Sequence, residues 1–183
     1  MLKKRNAWKI VCFTGLLLTA FPIVADISSS AKPSSEYCVF CDQKILDYQK
    51  FYEDDLVLGL CTHKPIEPGH CLIIPKRHVA RFEQLSDEEI TAMGHLIKKV
   101  DRAVSKAFGT SAYMLLQKNG AEVGQTVFHV HFHYIPRKAD EKVGVQFLMK
   151  FFLEAFKSPV SEDEMHENVQ KMIEAMKDTS SQS

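Results

Sequence analysis

Three of the chain's eight histidines, His129, His131 and His133, alternate with Val130, Phe132 and Tyr134. Successive side chains of a strand point to opposite faces. An expected strand over 126–135 therefore carries the three imidazoles on one face, neighbours roughly 6–7 Å apart, and the apolar residues on the other, toward a core. Such a row suits two chemistries. Neutral imidazole is a common zinc ligand, and alternate strand positions can converge on one ion. Neutral imidazole is also a nucleophile toward phosphorus: it attacks, a covalent histidine adduct forms, and water or another acceptor resolves it. The neighbouring rings then donate hydrogen bonds to phosphate oxygens and protonate the leaving group.

The residues around the row favour the second chemistry. Gly124-Gln125-Thr126 precedes it directly, and Asn119 sits where an expected strand meets a turn, so amide and hydroxyl groups beside flexible backbone suit an anionic oxygen. No carboxylate pattern near the row completes a hard-metal site, and no glycine-rich loop opens a helix as a nucleoside-triphosphate cradle requires. A second constellation, Cys38-Val39-Phe40-Cys41, has the spacing of a zinc knuckle or a redox pair. Cys61 and Cys71 fall in expected strands, where cysteine is most often a small buried apolar group; in an exported protein the four would instead suit two disulfides.

The elements that must position these groups follow from hydropathy and turn chemistry. Residues 55–61 suit a strand, 62–69 a loop with two prolines and a glycine, and 70–74 a second strand stopped by Pro75. Ser86, three residues ahead of Glu89, makes a capping box; Ile90, Met93, Leu96, Ile97, Val100, Val104 and Phe108 then recur at helical spacing as far as Gly109. His95 lies within that helix as a surface or partly packed residue. Residues 112–117 suit a third strand, 119–124 a glycine-bearing turn and 126–135 the fourth strand, ending at Pro136. Further on, 145–156 suits a helix, and Ser161 opens a final amphipathic helix through Met172 and Met176. Two strands, a long helix and two more strands predict an α+β domain: an antiparallel meander sheet with the helix packed on it, plus C-terminal helices.

Composition narrows the partners. The 23 basic side chains are matched by 23 acidic ones, which argues against polyanion binding by bulk charge and so against nucleic acid. The first residues differ from the rest: Lys3, Lys4, Arg5 and Lys9 precede an apolar run over 10–24 that ends at Ala25. The expected organisation is a signal peptide or N-terminal anchor over 1–25, a polar linker over 26–36, the core domain over 37–140 and a C-terminal helical extension over 141–183. Export follows if the leader is cleaved and membrane anchoring if it is not; without a working leader the expected compartment is the cytoplasm.

Residues 124–137, from Gly124-Gln125-Thr126 through the histidine row to Pro136-Arg137, resemble the histidine-triad motif of the HIT superfamily. Residues 65–78, with Gly69-His70 and Lys76-Arg77-His78, resemble the family's second block, and Cys38-Val39-Phe40-Cys41 the start of its cysteine-bearing bacterial members. The resemblance implies a dimerising α+β domain whose substrates are purine mononucleotides or their phosphoramidate, sulfate or dinucleoside-polyphosphate derivatives. By position it makes His131 the nucleophile, His133 the phosphate-contacting partner and His70 the additional histidine of the site. It places Asn119, Gln125, Thr126 and His133 around the nucleotide. It also implies a structural zinc held by Cys38, Cys41, His78 and His129, with no catalytic metal. One departure stands out: Thr62, followed by His63, occupies the position where many members carry an acidic residue for the ribose hydroxyls. Three readings stay open on the sequence: a nucleotidyl hydrolase or transferase working through His131, a nucleotide-binding or interaction protein with little catalysis, and a metalloenzyme using all three histidines.

Overall fold

In a computed structural model, residues 37–138, 149–151, 153 and 157–180 are described, all within the unit Pro33–Ser183. A short helix α1 (Gln43–Gln49) leads into an antiparallel meander of β1 (Lys50–Glu53), β2 (Val57–Cys61) and β3 (Cys71–Pro75). The long helix α2 (Asp87–Phe108) then packs on the sheet, and β4 (Ala112–Gln117) and β5 (Phe132–Arg137) return as an antiparallel pair. The spatial order is β1-β2-β3-β5-β4, so β5 lies between β3 and the edge strand β4. The last helix, α3 (Glu162–Ser180), rests against α2 and β1. The α+β class is as expected; β1 and α1, short and rich in polar residues, carry no strong period and are additions to it.

Alternation sorts the two sheet faces. Val57, Cys61, Cys71, Ile73 and Tyr134 bury with Met93, Leu96, Val100 and Val104 of α2 and Met165 and Met172 of α3. On the opposite face Leu58, Leu60, Leu72 and Ile74 cluster with Phe40 from the segment ahead of α1. Both faces of β2 and β3 are therefore covered, which is why these strands are continuous apolar runs rather than alternating ones. Each large apolar side chain so buried contributes about 1.5–3 kcal/mol.

Helix α2 begins where its capping box predicts. Ser86 Oγ accepts the Glu89 N–H and Glu89 accepts the Ser86 N–H, while Gly109 ends the helix at φ 71°. One position differs from the expected core face. Ile90 is 38% exposed and Glu89 is 4% exposed, because the carboxylate turns inward onto Arg77, which donates from Nε at 3.0 Å and Nη2 at 2.7 Å.

The expected strand over 126–135 is corrected: β5 begins at Phe132, so His129 and His131 stand ahead of it. The backbone there turns to the segment leaving β3 instead of to β4. Val130 N–H donates to the Val79 carbonyl at 2.7 Å, and the β4 pairing ends at Gln117 opposite Phe132. Pro136 does not stop the strand, since β5 pairs with β3 only as far as Tyr134 and the missing N–H has no β3 partner to lose. The expected helix over 145–156 falls largely outside the described residues, although Met149, Lys150, Phe151 and Leu153 are helical. The leader over 1–25 and the linker over 26–36 lie wholly outside them.

Candidate functional site

His133, near the start of β5, stands opposite Leu72 of β3 and Leu116 of β4. It therefore shares the Phe40 face of the sheet with Leu72. His70 immediately precedes β3 and shows how the site is wired. Its Nδ1 accepts the Ile66 N–H at 3.1 Å, so its proton resides on Nε2, which donates to His133 Nδ1 at 3.0 Å. The proton of His133 is thereby kept on its own Nε2. His131 is held the other way: Nδ1–H donates to the His129 carbonyl at 2.7 Å, which leaves a lone pair on Nε2. The rings of His131 and His133 meet edge to face with centroids 5.0 Å apart, and Phe40 meets His131 similarly at 5.2 Å.

These assignments require neutral rings, and burial supplies them by penalising the charged form. Burial pushes the His70 pKa down to about 3, with the Lys157 charge adding to the effect. It pushes His133 down to about 2, reinforced by His70, His131 and Lys118. His131 is lowered too, by burial against the opposing effect of its bond to the His129 carbonyl. At neutral pH the set presents one lone pair and one ring N–H to a ligand without carrying charge of its own.

His129 belongs to a different group. It is fully buried, its Nε2–H donates to the Pro75 carbonyl at 2.8 Å, and its Nδ1 faces Cys38 Sγ at 3.5 Å and Cys41 Sγ at 3.6 Å. His78 Nδ1 lies 3.4 Å from Cys41 Sγ, and the four donor atoms all fall within 4.8 Å of one another. Two ligands of a tetrahedral zinc, one sulfur at about 2.3 Å and one nitrogen at about 2.0–2.1 Å from the ion, stand about 3.6 Å apart. The donor set and its spacing fit that ion. The cluster thus brings together all four residues the resemblance implied, across 37 residues of sequence between Cys41 and His78.

The expected nucleotide contacts are placed less uniformly. Asn119 Oδ1 accepts the Phe82 N–H at 2.9 Å and its Nδ2 donates to Glu83. Gln125 Oε1 accepts the Gly120 N–H at 2.7 Å, and its Nε2 donates to the Ala80 and Val127 carbonyls at 2.9 and 3.1 Å. Both amides therefore tie the 118–127 loop to the segment after β3, and Thr126 is exposed. Thr62 is buried at the end of β2, with its N–H donating to the His70 carbonyl at 3.4 Å. Two groups escape a reading by composition alone. Phe40 packs against both His129 and His131. Lys118, one step beyond β4, places its charge near His131 and His133.

A helix-backed antiparallel sheet with paired imidazoles at its opposite face and a cysteine–histidine cluster beside them defines a histidine-triad fold. Residues 43–140, more than half of the chain, match the HIT domain family, and the chain belongs to it. An adenylylsulfatase of Arabidopsis thaliana is 41% identical over 105 residues, 55% of this chain and 52% of the relative. A bis(5'-nucleosyl)-tetraphosphatase (asymmetrical) of Schizosaccharomyces pombe is 42% identical over 90 residues, 49% of this chain and 50% of the relative. The chain thus spans about half the length of these curated relatives. Among solved structures, a zinc-bound histidine triad family protein from Mycobacterium smegmatis shares the fold with a TM-score of 0.63 at 24% identity, over 82% of this chain and 100% of that one.

Proposed function

We propose that the protein is a nucleotidyl hydrolase or transferase acting on a purine nucleotide conjugate: a phosphoramidate, an adenylyl sulfate or a dinucleoside polyphosphate. The observation that carries the reading is the His131 Nδ1–H bond to the His129 carbonyl, which leaves Nε2 as a lone pair on a ring that burial keeps neutral. Nε2 attacks the α-phosphorus, an N–P bond forms and the bond to the leaving group breaks. Water or another acceptor then attacks the same phosphorus, breaks the N–P bond and returns the free imidazole. His133, with its proton on Nε2 through the His70 relay, donates to a phosphoryl oxygen where charge develops. The hydrolase names carried by both curated relatives support the class.

Brief incubation with bis(5'-adenosyl) triphosphate, followed by acid-free mass spectrometry, should find an adenylyl group on the peptide containing His131. His131→Asn should abolish both adduct and turnover; turnover that survives the substitution rules the mechanism out. A second reading, a nucleotide-binding protein with little catalysis, draws on Thr62, whose hydroxyl holds ribose less firmly than a carboxylate accepting from both hydroxyls. Tight AMP binding by calorimetry with no turnover of any of the three conjugates would select it.

Cys38, Cys41, His78 and His129 would hold a zinc ion as thiolates and neutral imidazoles, with Nδ1 the ligating atom of both histidines. The ion would supply a cross-link between the Phe40 segment and the backbone just ahead of β5. A homodimer is the proposed assembly, supported by the outer edge of β4, which pairs with no strand among the described residues, and by its Tyr113 and Leu115, 41% and 39% exposed. We read residues 1–36 as a leader and linker that export or anchor the protein, which N-terminal sequencing of the natural product tests.

A further inference from the structure

The histidine site has a cation that the mechanism above does not use. β4 pairs with β5 in the register Leu116 opposite His133 and Gln117 opposite Phe132. The pairing ends there; Lys118 follows β4 directly and His131 directly precedes β5, so both stand at the same end of this ladder. The side chain does not trail into solvent. It is half-buried, and it crosses over Gly124, whose missing Cβ would stand 3.8 Å from Nζ and 4.0 Å from Cδ. Gly124 adopts φ 79°, so the backbone beneath the lysine is turned into the left-handed region that favours glycine.

Lys118 has no ion-pair partner among the described residues, whereas its neighbours Arg81 and Glu83 pair with each other. Its positive charge contributes to keeping both His131 and His133 neutral. Beside the imidazoles this half-buried ammonium is a donor that no ion pair among the described residues engages. The residues around it are also ordered. Across the sheet the sequence is Thr62 just past β2, His70 ahead of β3, His131 ahead of β5 with His133 near its start, and Lys118 past β4. A phosphoryl group centred on His131 with its ribose toward Thr62 has Lys118 on the other side, where the leaving group departs.

We infer that Lys118 is the specificity-determining anion contact of this site, selecting conjugates whose leaving group is itself anionic, a phosphate chain or a sulfate, over those that release a neutral amine. The inference rests on the functional reading above for the orientation of the substrate, but not for the presence of the cation. A charge-assisted bond from the ammonium to a leaving-group oxygen stabilises the negative charge that grows there as the bond to the α-phosphorus breaks. An amine leaving group presents no such oxygen.

The test uses the full chain with AMP and ADP as probes in buffer without added divalent metal, the β-phosphate of ADP standing in for the anionic leaving group. Calorimetry on the unsubstituted protein should show ADP bound about 10-fold or more tightly than AMP. Lys118→Met should bring that ratio close to one and Lys118→Arg should restore most of it. An ADP preference that is absent, or that persists in Lys118→Met, overturns the inference. The ratio of kcat/KM for bis(5'-adenosyl) triphosphate over AMP phosphoramidate should fall about 10-fold or more in Lys118→Met; equal losses on both substrates assign the lysine a general role and also overturn it. Failure of the catalytic reading looks different: no substrate is turned over by the unsubstituted protein, while the ADP preference and its loss in Lys118→Met remain.

Discussion

His129 and His131 are two residues apart, both buried and both neutral by burial, yet each exposes a different ring nitrogen. His129 gives Nε2–H to the Pro75 carbonyl and turns Nδ1 to the thiols of Cys38 and Cys41; His131 gives Nδ1–H to the His129 carbonyl and keeps the lone pair of Nε2. Residue type and burial are shared, so neither explains the division. The acceptor of the second hydrogen bond does, because a neutral imidazole with one nitrogen donating must offer the other as base, ligand or nucleophile. The contact between the two is also direct: the carbonyl that orients the His131 ring belongs to the residue whose own ring faces Cys38 and Cys41.

The largest expected effect sits on one side of this division. His131→Asn should lower kcat by about three orders of magnitude or more while the zinc content, read by elemental mass spectrometry, and the melting temperature stay within experimental scatter. Loss of zinc in that variant would mean that the two groups are one site. Opening the other side should do the reverse in order. Cys38→Ser with Cys41→Ser should abolish zinc retention and lower Tm by about 10 °C, on the order of 3 kcal/mol for a domain of this size. Turnover should fall as well, because the His129 backbone loses its anchor. A variant of unchanged Tm would show that the cluster cross-links nothing.

How much of this was legible in the sequence differs between the two sides. Helix α2 and strand β4 lie where capping residues, Gly109 and alternation put them, since those signals are local. The row of histidines was legible as chemistry, but not its geometry. Residues 126–131 alternate like a strand, and nothing in their types announces that Val130 and His129 bond to Val79 and Pro75, segments from across the sheet. The grouping of Cys38, Cys41, His78 and His129 was named only by family resemblance, because no spacing rule connects Cys41 to His78. Asn119 and Gln125 show the same limit: an amide near a phosphate site looks like a ligand contact, and its engagement with the Phe82, Gly120 and Ala80 backbone is a tertiary fact.

A smaller effect comes from the imidazole relay through pH. His70 is held at about pKa 3 against an unfolded value near 6.5. Above pH 6.5 neither state binds the proton, and below it the unfolded chain takes one that the folded chain refuses. Stability is therefore lost as pH falls from about 6.5 toward 3, and at pH 5 His70 alone accounts for about 2 kcal/mol, or about 6 °C in Tm. Thermal scans from pH 8 to 5 should show this decline, and His70→Gln should flatten it by about that amount. A flat profile in the unsubstituted protein would mean that the relay is not held neutral.

The smallest expected effect separates the two sides most cleanly, because it begins at a residue in contact with neither. Glu89 caps α2 through Ser86 and receives both guanidinium nitrogens of Arg77, the residue just ahead of His78. The salt bridge is lopsided, with Glu89 5% and Arg77 53% exposed by side chain, so water screens the arginine and limits the value of the pair. Arg77 holds the carboxyl of Glu89 below the usual range, assisted by the Ser86 N–H and opposed by burial. Glu89→Gln keeps an acceptor for the cap and removes the charge, for a cost of about 1 kcal/mol and about 3 °C in Tm. What it loosens is the backbone that presents His78, so zinc should be lost to a competing chelator about 10-fold more readily while kcat remains within about twofold. A fall in kcat that matches the loss of zinc would show that the path from Arg77 through His78 and His129 reaches His131 even for a small displacement. An unchanged kcat would place the coupling in the His129 carbonyl alone.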